Sequence, residues 1–175
     1  MPVHEIDAYR YFIGDGAKTC AERSLPDDAQ HLAEACVDLF KKNYSQTWRE
    51  TTRPYPGITD MLCTLHNKSC AVLSNNDDVF TQEMIKQSFP GISFAFVAGF
   101  GHQYIVKHKP DSSGPQLIAD SLNIDVTRLA MIGDTGTDIQ TAKGCGMTPI
   151  GVLWGFRDRE EHAEEVAQPD GAGLS

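Results

Sequence analysis

The segment Leu129-Ala-Met-Ile-Gly-Asp-Thr-Gly-Thr-Asp-Ile-Gln-Thr-Ala142 constrains the fold of this chain more than any other. Its apolar run, residues 129–132, reads as a short buried strand. The run breaks at Gly133 and delivers Asp134 at the strand's C-terminal end. Thr137 and Gln140 have the spacing of an S/T-x-x-Q capping box, so a helix is expected from about Asp138, with Gly144 as its stop. Strand, tight loop and helix in that order belong to a parallel α/β sheet, which takes ligands at the carboxyl ends of its strands. Asp134 and Asp138 are then two carboxylates held at one such mouth. Like charges so placed repel unless a cation or a proton sits between them. A hard divalent ion with oxygen ligands, such as Mg2+, meets that need.

The second half of the chain keeps this rhythm. Helices are expected at residues 58–66 and 77–88, after Pro110 or Pro115 to about 122, and from 138. Strands are expected at 70–74, 94–98, 129–132 and 149–153. The first half reads as helical instead. Residues 9–25 form one stretch, interrupted by Gly14 and Gly16. Residues 29–50 form a second, with Asp27 and Asp28 placed to cap it. Leu32, Cys36, Leu39, Phe40, Tyr44 and Trp48 recur there at helical spacing and read as core. Arg53-Pro-Tyr-Pro-Gly57 is a stiff breaker and marks a boundary. The expected organisation is a helical piece over residues 1–52 and an α/β piece over 53–175, with a flexible tail from about 166.

A length of 175 residues suits one compact domain with a small subdomain. The net charge of -9, from 15 basic and 24 acidic residues, argues against a nucleic-acid partner and against an anionic membrane surface. No apolar run approaches the length of a membrane span. The first eleven residues are polar and acidic, unlike a signal peptide. The five cysteines are odd in number and include no C-x-x-C pair, which fits reduced cytoplasmic thiols better than disulfides or zinc. His102 and His108 read as solvated loop residues.

Three loops carry candidate chemistry. Ser74-Asn-Asn-Asp77 sets a hydroxyl and backbone N–H groups where a helix begins, an arrangement that binds phosphate oxygens; it is equally an ordinary turn and cap. Lys107-His-Lys-Pro-Asp111 fixes Lys109 ahead of a proline, where its charge can offset a phosphate and a carboxylate; Lys107 competes for that role. The third loop holds Asp134 and Asp138.

In this order the three loops resemble those of a haloacid-dehalogenase-superfamily hydrolase, of the branch that includes phosphoglycolate phosphatase. Three further segments carry the resemblance: Phe12-Ile-Gly-Asp-Gly-Ala17 with Glu22-Arg23, Arg53-Pro-Tyr-Pro-Gly-Ile58, and Gly151-Val-Leu-Trp-Gly-Phe156. The resemblance implies a Rossmann-like parallel sheet with helices on both faces and a small helical cap. It implies that Ser74, Asn75 and Lys109 bind phosphate, with Lys109 also steadying the nucleophile. By the same resemblance Asp134 and Asp138 bind Mg2+, and Arg23 and Lys18 are the cap cations for a substrate carboxylate.

Members of that superfamily open with a strand carrying Asp-x-Asp-x-(Thr or Val), whose first aspartate becomes phosphorylated. No such motif occurs in the sequence. The chain is therefore expected to begin inside the cap, as a fragment or from a mis-assigned start. The family's first strand lies between those expected at 70–74 and 129–132, so its absence leaves both with unpaired backbone groups. Dimerisation is one expected way to cover them. The function implied is a cytoplasmic, Mg2+-dependent phosphomonoesterase acting on a small phosphorylated metabolite through a phospho-aspartate, inactive in this chain alone because the nucleophile is missing. The alternative is a non-catalytic relative that binds a phosphorylated ligand or a protein. A dehalogenase fits less well, since it has no need of paired aspartates for a metal.

Overall fold

Gly14 and Gly16 break the first helical stretch where expected. Both have positive φ, 114° and 93°, a region that suits glycine. In the computed structural model of the chain, which describes residues 3–105 and 107–167, α1 (Tyr9–Phe12) ends before this break and α2 (Ala17–Ser24) follows it. The chain divides into two compact units, Met1–Gly99 and Phe100–Ser175.

In the first unit a short 3-10 turn, Asp27–Leu32, replaces the expected start of the second helix. Neither Asp27 nor Asp28 caps α3 (Ala33–Thr51), whose N-cap position is Leu32. The stripe on α3 is core only in part. Trp48 and Ala33 are buried, whereas Leu39 is 67% exposed and Phe40 47%. α3 packs against α2. Farther along, Phe40 stacks on Tyr44 and Tyr44 meets Phe80 edge-on, at centroid distances of 5.1 and 5.2 Å. After α4 (Ile58–Thr64), β1 (Ala71–Asp77) runs on through the polar residues expected to be its loop, and α5 (Asp78–Ser88) begins directly behind it. β2 (Phe96–Phe100) pairs with β1.

The second unit has a core of Ile118, Ala119, Ile139, Thr141, Ala142 and Met147. Its first long helix, α6, spans Ser113–Leu122, so Pro115 lies in the first turn and Pro110 lies outside the helix. α6 ends at Asn123, the described non-glycine residue with positive φ (52°). The Ile124 N–H reaches back to the Ala119 carbonyl, closing the helix in a left-handed cap. β3 (Ala130–Gly133) and β4 (Thr148–Gly151) form a parallel ladder in which Ile132 opposes Ile150 and Gly133 opposes Gly151. Between them α7 (Gly136–Gly144) returns the chain and packs on both strands. Gly144 ends α7 as expected.

The expected burial of residues 129–132 is not met. Ile132 is 53% exposed and its cross-strand neighbour Ile150 is 42% exposed. Side chains alternate between faces along a strand. Gly133 faces Asp138 of α7, so Ile132 points to the opposite, open face. Helix α8 (Arg159–Ala167) packs on α7 and was not expected from the sequence. It takes in the first residues of the expected flexible tail; residues 168–175 of that tail lie outside the described residues.

Candidate functional site

Asp138 is built into the start of α7 twice over. Its Oδ2 accepts hydrogen bonds from the Thr135 N–H (3.2 Å) and the Thr135 hydroxyl (2.8 Å). The capping box thus consists of Thr135 and Asp138, not of Thr137 and Gln140. An aspartate competes well here because an ionised carboxylate accepts from an N-terminal N–H group more strongly than a neutral amide does. Its Oδ1 lies 2.7 Å from Lys109 Nζ. Both side chains are largely withdrawn from water, at 13% and 8% exposure. Such a pair holds only where further hydrogen bonds satisfy the carboxylate, and Thr135 supplies them.

Lys109 reaches this position from a loop that is fixed at several points. Gly101 turns with φ of 84° and donates to the Ile105 carbonyl, and Ile105 is buried. The His108 ring stacks on Phe100 at 3.7 Å between centroids, so His108 is not the solvated residue expected. Lys107, the competing cation, lies 3.3 Å from Asp111 and is 71% exposed. Of the two lysines, Lys109 is the one brought to the strand mouth. Asp111 also accepts from the Ser113 N–H at the start of α6. Ser113, through its side chain and its N–H, holds the Asp111 carboxyl below the usual range.

Asp134 stands one residue past β3. Its Oδ2 accepts from the Phe156 N–H at 2.9 Å. Parallel pairing explains how a residue so distant in sequence arrives there. β4 ends beside the end of β3, and the Val152 N–H still bonds the Gly133 carbonyl. The loop after β4 therefore starts next to Asp134. Gly155 is needed in that loop, because a Cβ there would collide with the Asp134 side chain. A Cβ on Gly133 would collide with Asp138 in the same way.

The two glycines therefore make the room that the two carboxylates fill, and the donors are hard oxygens, as Mg2+ prefers. The residues fit such an ion unequally. Asp134 would hold it directly. Asp138, with both oxygens engaged, would act through Lys109 and the start of α7. Among the described residues no group of three or more His, Cys, Asp or Glu side chains converges.

The other sequence candidates lie in the first unit. Ser74 and Asn75 are within β1. The Ser74 hydroxyl accepts from the Asn76 N–H, and buried Asn75 donates to the Gly14 carbonyl at 2.8 Å. Arg23 pairs with Asp15 at 2.7 Å and donates to the Tyr11 and Phe12 carbonyls, closing the turn between α1 and α2. Lys18 lies 3.9 Å from Glu22, one helical turn on, and is 65% exposed. Thr135, Gly155 and the Phe156 N–H were not read from the sequence as parts of the site. Gly155 alone left a sign there, as the glycine of the Trp-Gly-Phe step after the last strand.

Known proteins were compared with the chain. The family model described as haloacid dehalogenase-like hydrolase matches residues 2–146. A phosphoglycolate phosphatase of Neisseria meningitidis is 29% identical over 97% of the chain and 74% of its own length. One from Pseudomonas putida is 26% identical over 89% of the chain and 59% of its own length. The chain thus spans only about three-fifths of that relative. A haloacid dehalogenase-like family protein of Streptococcus pneumoniae superposes with a TM-score of 0.80 at 19% identity, covering 97% of the chain and 77% of its own. With the motif order, the strand-mouth geometry and the family match in agreement, the chain belongs to the haloacid dehalogenase-like hydrolases.

Proposed function

We propose that this chain belongs to a Mg2+-dependent phosphomonoesterase of the phosphoglycolate phosphatase type. The observation that carries this reading is the buried Lys109–Asp138 pair at the mouth of β3, the strand end that also carries the Asp134 carboxylate. A buried cation held in place by a carboxylate is suited to steady a phosphoryl group. Bound Mg2+ would offset charge on the transferring group. Asp134 would hold that ion, and Asp138 would keep Lys109 and the N-terminal turn of α7 in register.

Ser74 and the Asn75 N–H are assigned to the phosphate as well. The helical segment over residues 1–52 is assigned as the cap that excludes water and selects the leaving group. Within it Lys18 is the more accessible cation for a substrate carboxylate, and Arg23 would have to exchange its bond to Asp15. We place the protein in the cytoplasm. Among the described residues no helix is long and apolar enough to cross a membrane.

One fact favours a second reading, a non-catalytic phosphate-ligand or protein-binding relative: the sequence holds no Asp-x-Asp motif to supply a nucleophile. A phosphatase assay with Mg2+ separates the two. It is run on this chain and on a version extended upstream to include an Asp-x-Asp-x-Thr strand. Activity in the extended protein alone supports the phosphatase. Inactivity in both, with phosphate-ligand binding intact, supports the binding protein.

A further inference from the structure

The loop after β4 meets Asp134 through two contacts. The Phe156 N–H donates to Asp134 Oδ2 at 2.9 Å. Gly155, one residue earlier, presents only its α-hydrogens to the same side chain, and a Cβ would strike the Asp134 Cβ, Cγ and Oδ2 together. A clash with only the tip of a side chain is relieved by a small rotation. A clash that includes Cβ is not, so any larger residue at position 155 must displace either the aspartate or the loop. Leu153, Trp154 and Phe156 are 48%, 51% and 38% exposed. The loop is tied at its root by the Val152 N–H to the Gly133 carbonyl and by His162 to the Val152 carbonyl, and it meets Asp134 through the glycine contact and the amide hydrogen bond.

We propose that Gly155 and the Phe156 N–H are positioning elements for the metal-binding carboxylate, selecting an orientation of Asp134 in which Oδ2 is tied to the loop and Oδ1 is the oxygen that would take a divalent cation. A carboxylate with one oxygen anchored loses little further freedom when the other binds an ion, which is how a supporting hydrogen bond raises affinity. This inference rests on the reading of Asp134 as a metal ligand. Gly155 and Phe156 are positioning residues that would act through Asp134.

The test uses Mn2+ as the probe, with binding to the full chain followed by electron paramagnetic resonance. Removal of a supporting contact of this kind costs ten- to a hundred-fold in affinity, so Gly155→Ala should weaken Mn2+ binding by at least about tenfold with its melting midpoint near the parent's. Asp134→Ala should abolish the same binding. Gly144→Ala is the control: a Cβ there meets nothing, and its affinity should stay within about twofold of the parent's. Parent-like affinity in Gly155→Ala, with binding lost in Asp134→Ala, overturns the positioning role and leaves the metal reading standing. Parent-like affinity in Asp134→Ala, or no binding by the parent chain, overturns both. Should Gly155→Ala fail to fold, the double variant Asp134→Gly/Gly155→Ala decides, because it removes the atoms that the new methyl would strike. Recovery of folding in the double variant supports the contact, and continued misfolding overturns it.

Discussion

At the end of β1, Ser74, Asn76 and Asp77 satisfy one another or a surface lysine. The Ser74 hydroxyl takes the Asn76 N–H, the Asn76 side-chain Oδ1 takes the Asp77 N–H, and Asp77 pairs with Lys41 at 2.7 Å. That pair is open to water, at 43% and 29% exposure. Past the end of β3, Asp134 and Asp138 are held by partners 22 and 29 residues away in sequence, and the charged pair there is nearly closed to water. Two strand ends with similar polar composition are thus different objects. One is a run whose charged pair is open to water, adjustable at low cost. The other is preorganised by distant segments, and its charges have nowhere else to go.

The comparison breaks most visibly if the two lysines cost the same to remove. Lys109→Ala strands the Asp138 carboxylate in a buried place, and breaking such a pair from one side costs about 3–5 kcal/mol. Lys41→Ala removes an exposed partner from Asp77, for which about 0–1 kcal/mol is expected. Urea unfolding of both variants beside the parent gives the two numbers. Equal losses would mean that the Lys109 pair is solvated in practice, and the contrast between the strand ends would be lost.

Asn75 is the exception within β1 and gives the next largest effect. Its amide is buried and donates to the Gly14 carbonyl 61 residues away, so here the first unit also ties down a distant segment. Asn75→Ala leaves that carbonyl without its donor, at a cost of about 1–3 kcal/mol. Ser74→Ala removes only an exchange within the strand and should cost less than half as much. Thermal melts of the two variants rank them. The reverse ranking would make β1 local throughout.

These contrasts also explain what could be read from the sequence. The glycines at 14 and 16, which separate α1 from α2, and at 144, which ends α7, act through their own backbone, so each was legible in place. The strand at 130–133 was legible because an apolar run bounded by Gly133 has few other uses. Its burial was not, since exposure depends on what lies against Ile132 and Ile150, and local pattern is silent about neighbours. The capping box shows the same limit at shorter range. Thr137/Gln140 and Thr135/Asp138 share one spacing, and the choice fell to the pair whose carboxylate was also wanted by Lys109. Gly155 and the Phe156 N–H escaped because they act on a residue 21 and 22 positions away, brought close only by the register of β3 and β4. α8 escaped because Glu160-Glu-His-Ala-Glu offers little apolar periodicity. Among its described side chains His162 is buried and bonds the Val152 carbonyl, and the helix packs on α7.

The smallest effect sharpens the comparison at the loop that carries Lys109. Hydrogen bonds from Ser113, with burial opposing them and Lys107 assisting, hold the Asp111 carboxyl below its usual range. A carboxyl depressed on folding stabilises the folded state at every pH above its unfolded value, about 4, and this contribution disappears as pH falls through the lower folded value. Asp111→Asn should therefore melt below the parent at neutral pH, with the gap narrowing as pH drops under about 4. Thermal melts from pH 3 to 7 would show it, and a constant gap would mean that the charge of Asp111 is not what matters. Cys145 gives an independent reading of the same charge. Burial raises its thiol pKa first, and Asp111 raises it further. Iodoacetamide should label Cys145 faster in Asp111→Asn than in the parent, since one of the two causes that hold it protonated is gone. If labelling is unchanged while the acid limb of the melting curve flattens, Asp111 acts on α6 through Ser113 alone, and its charge does not reach the end of α7.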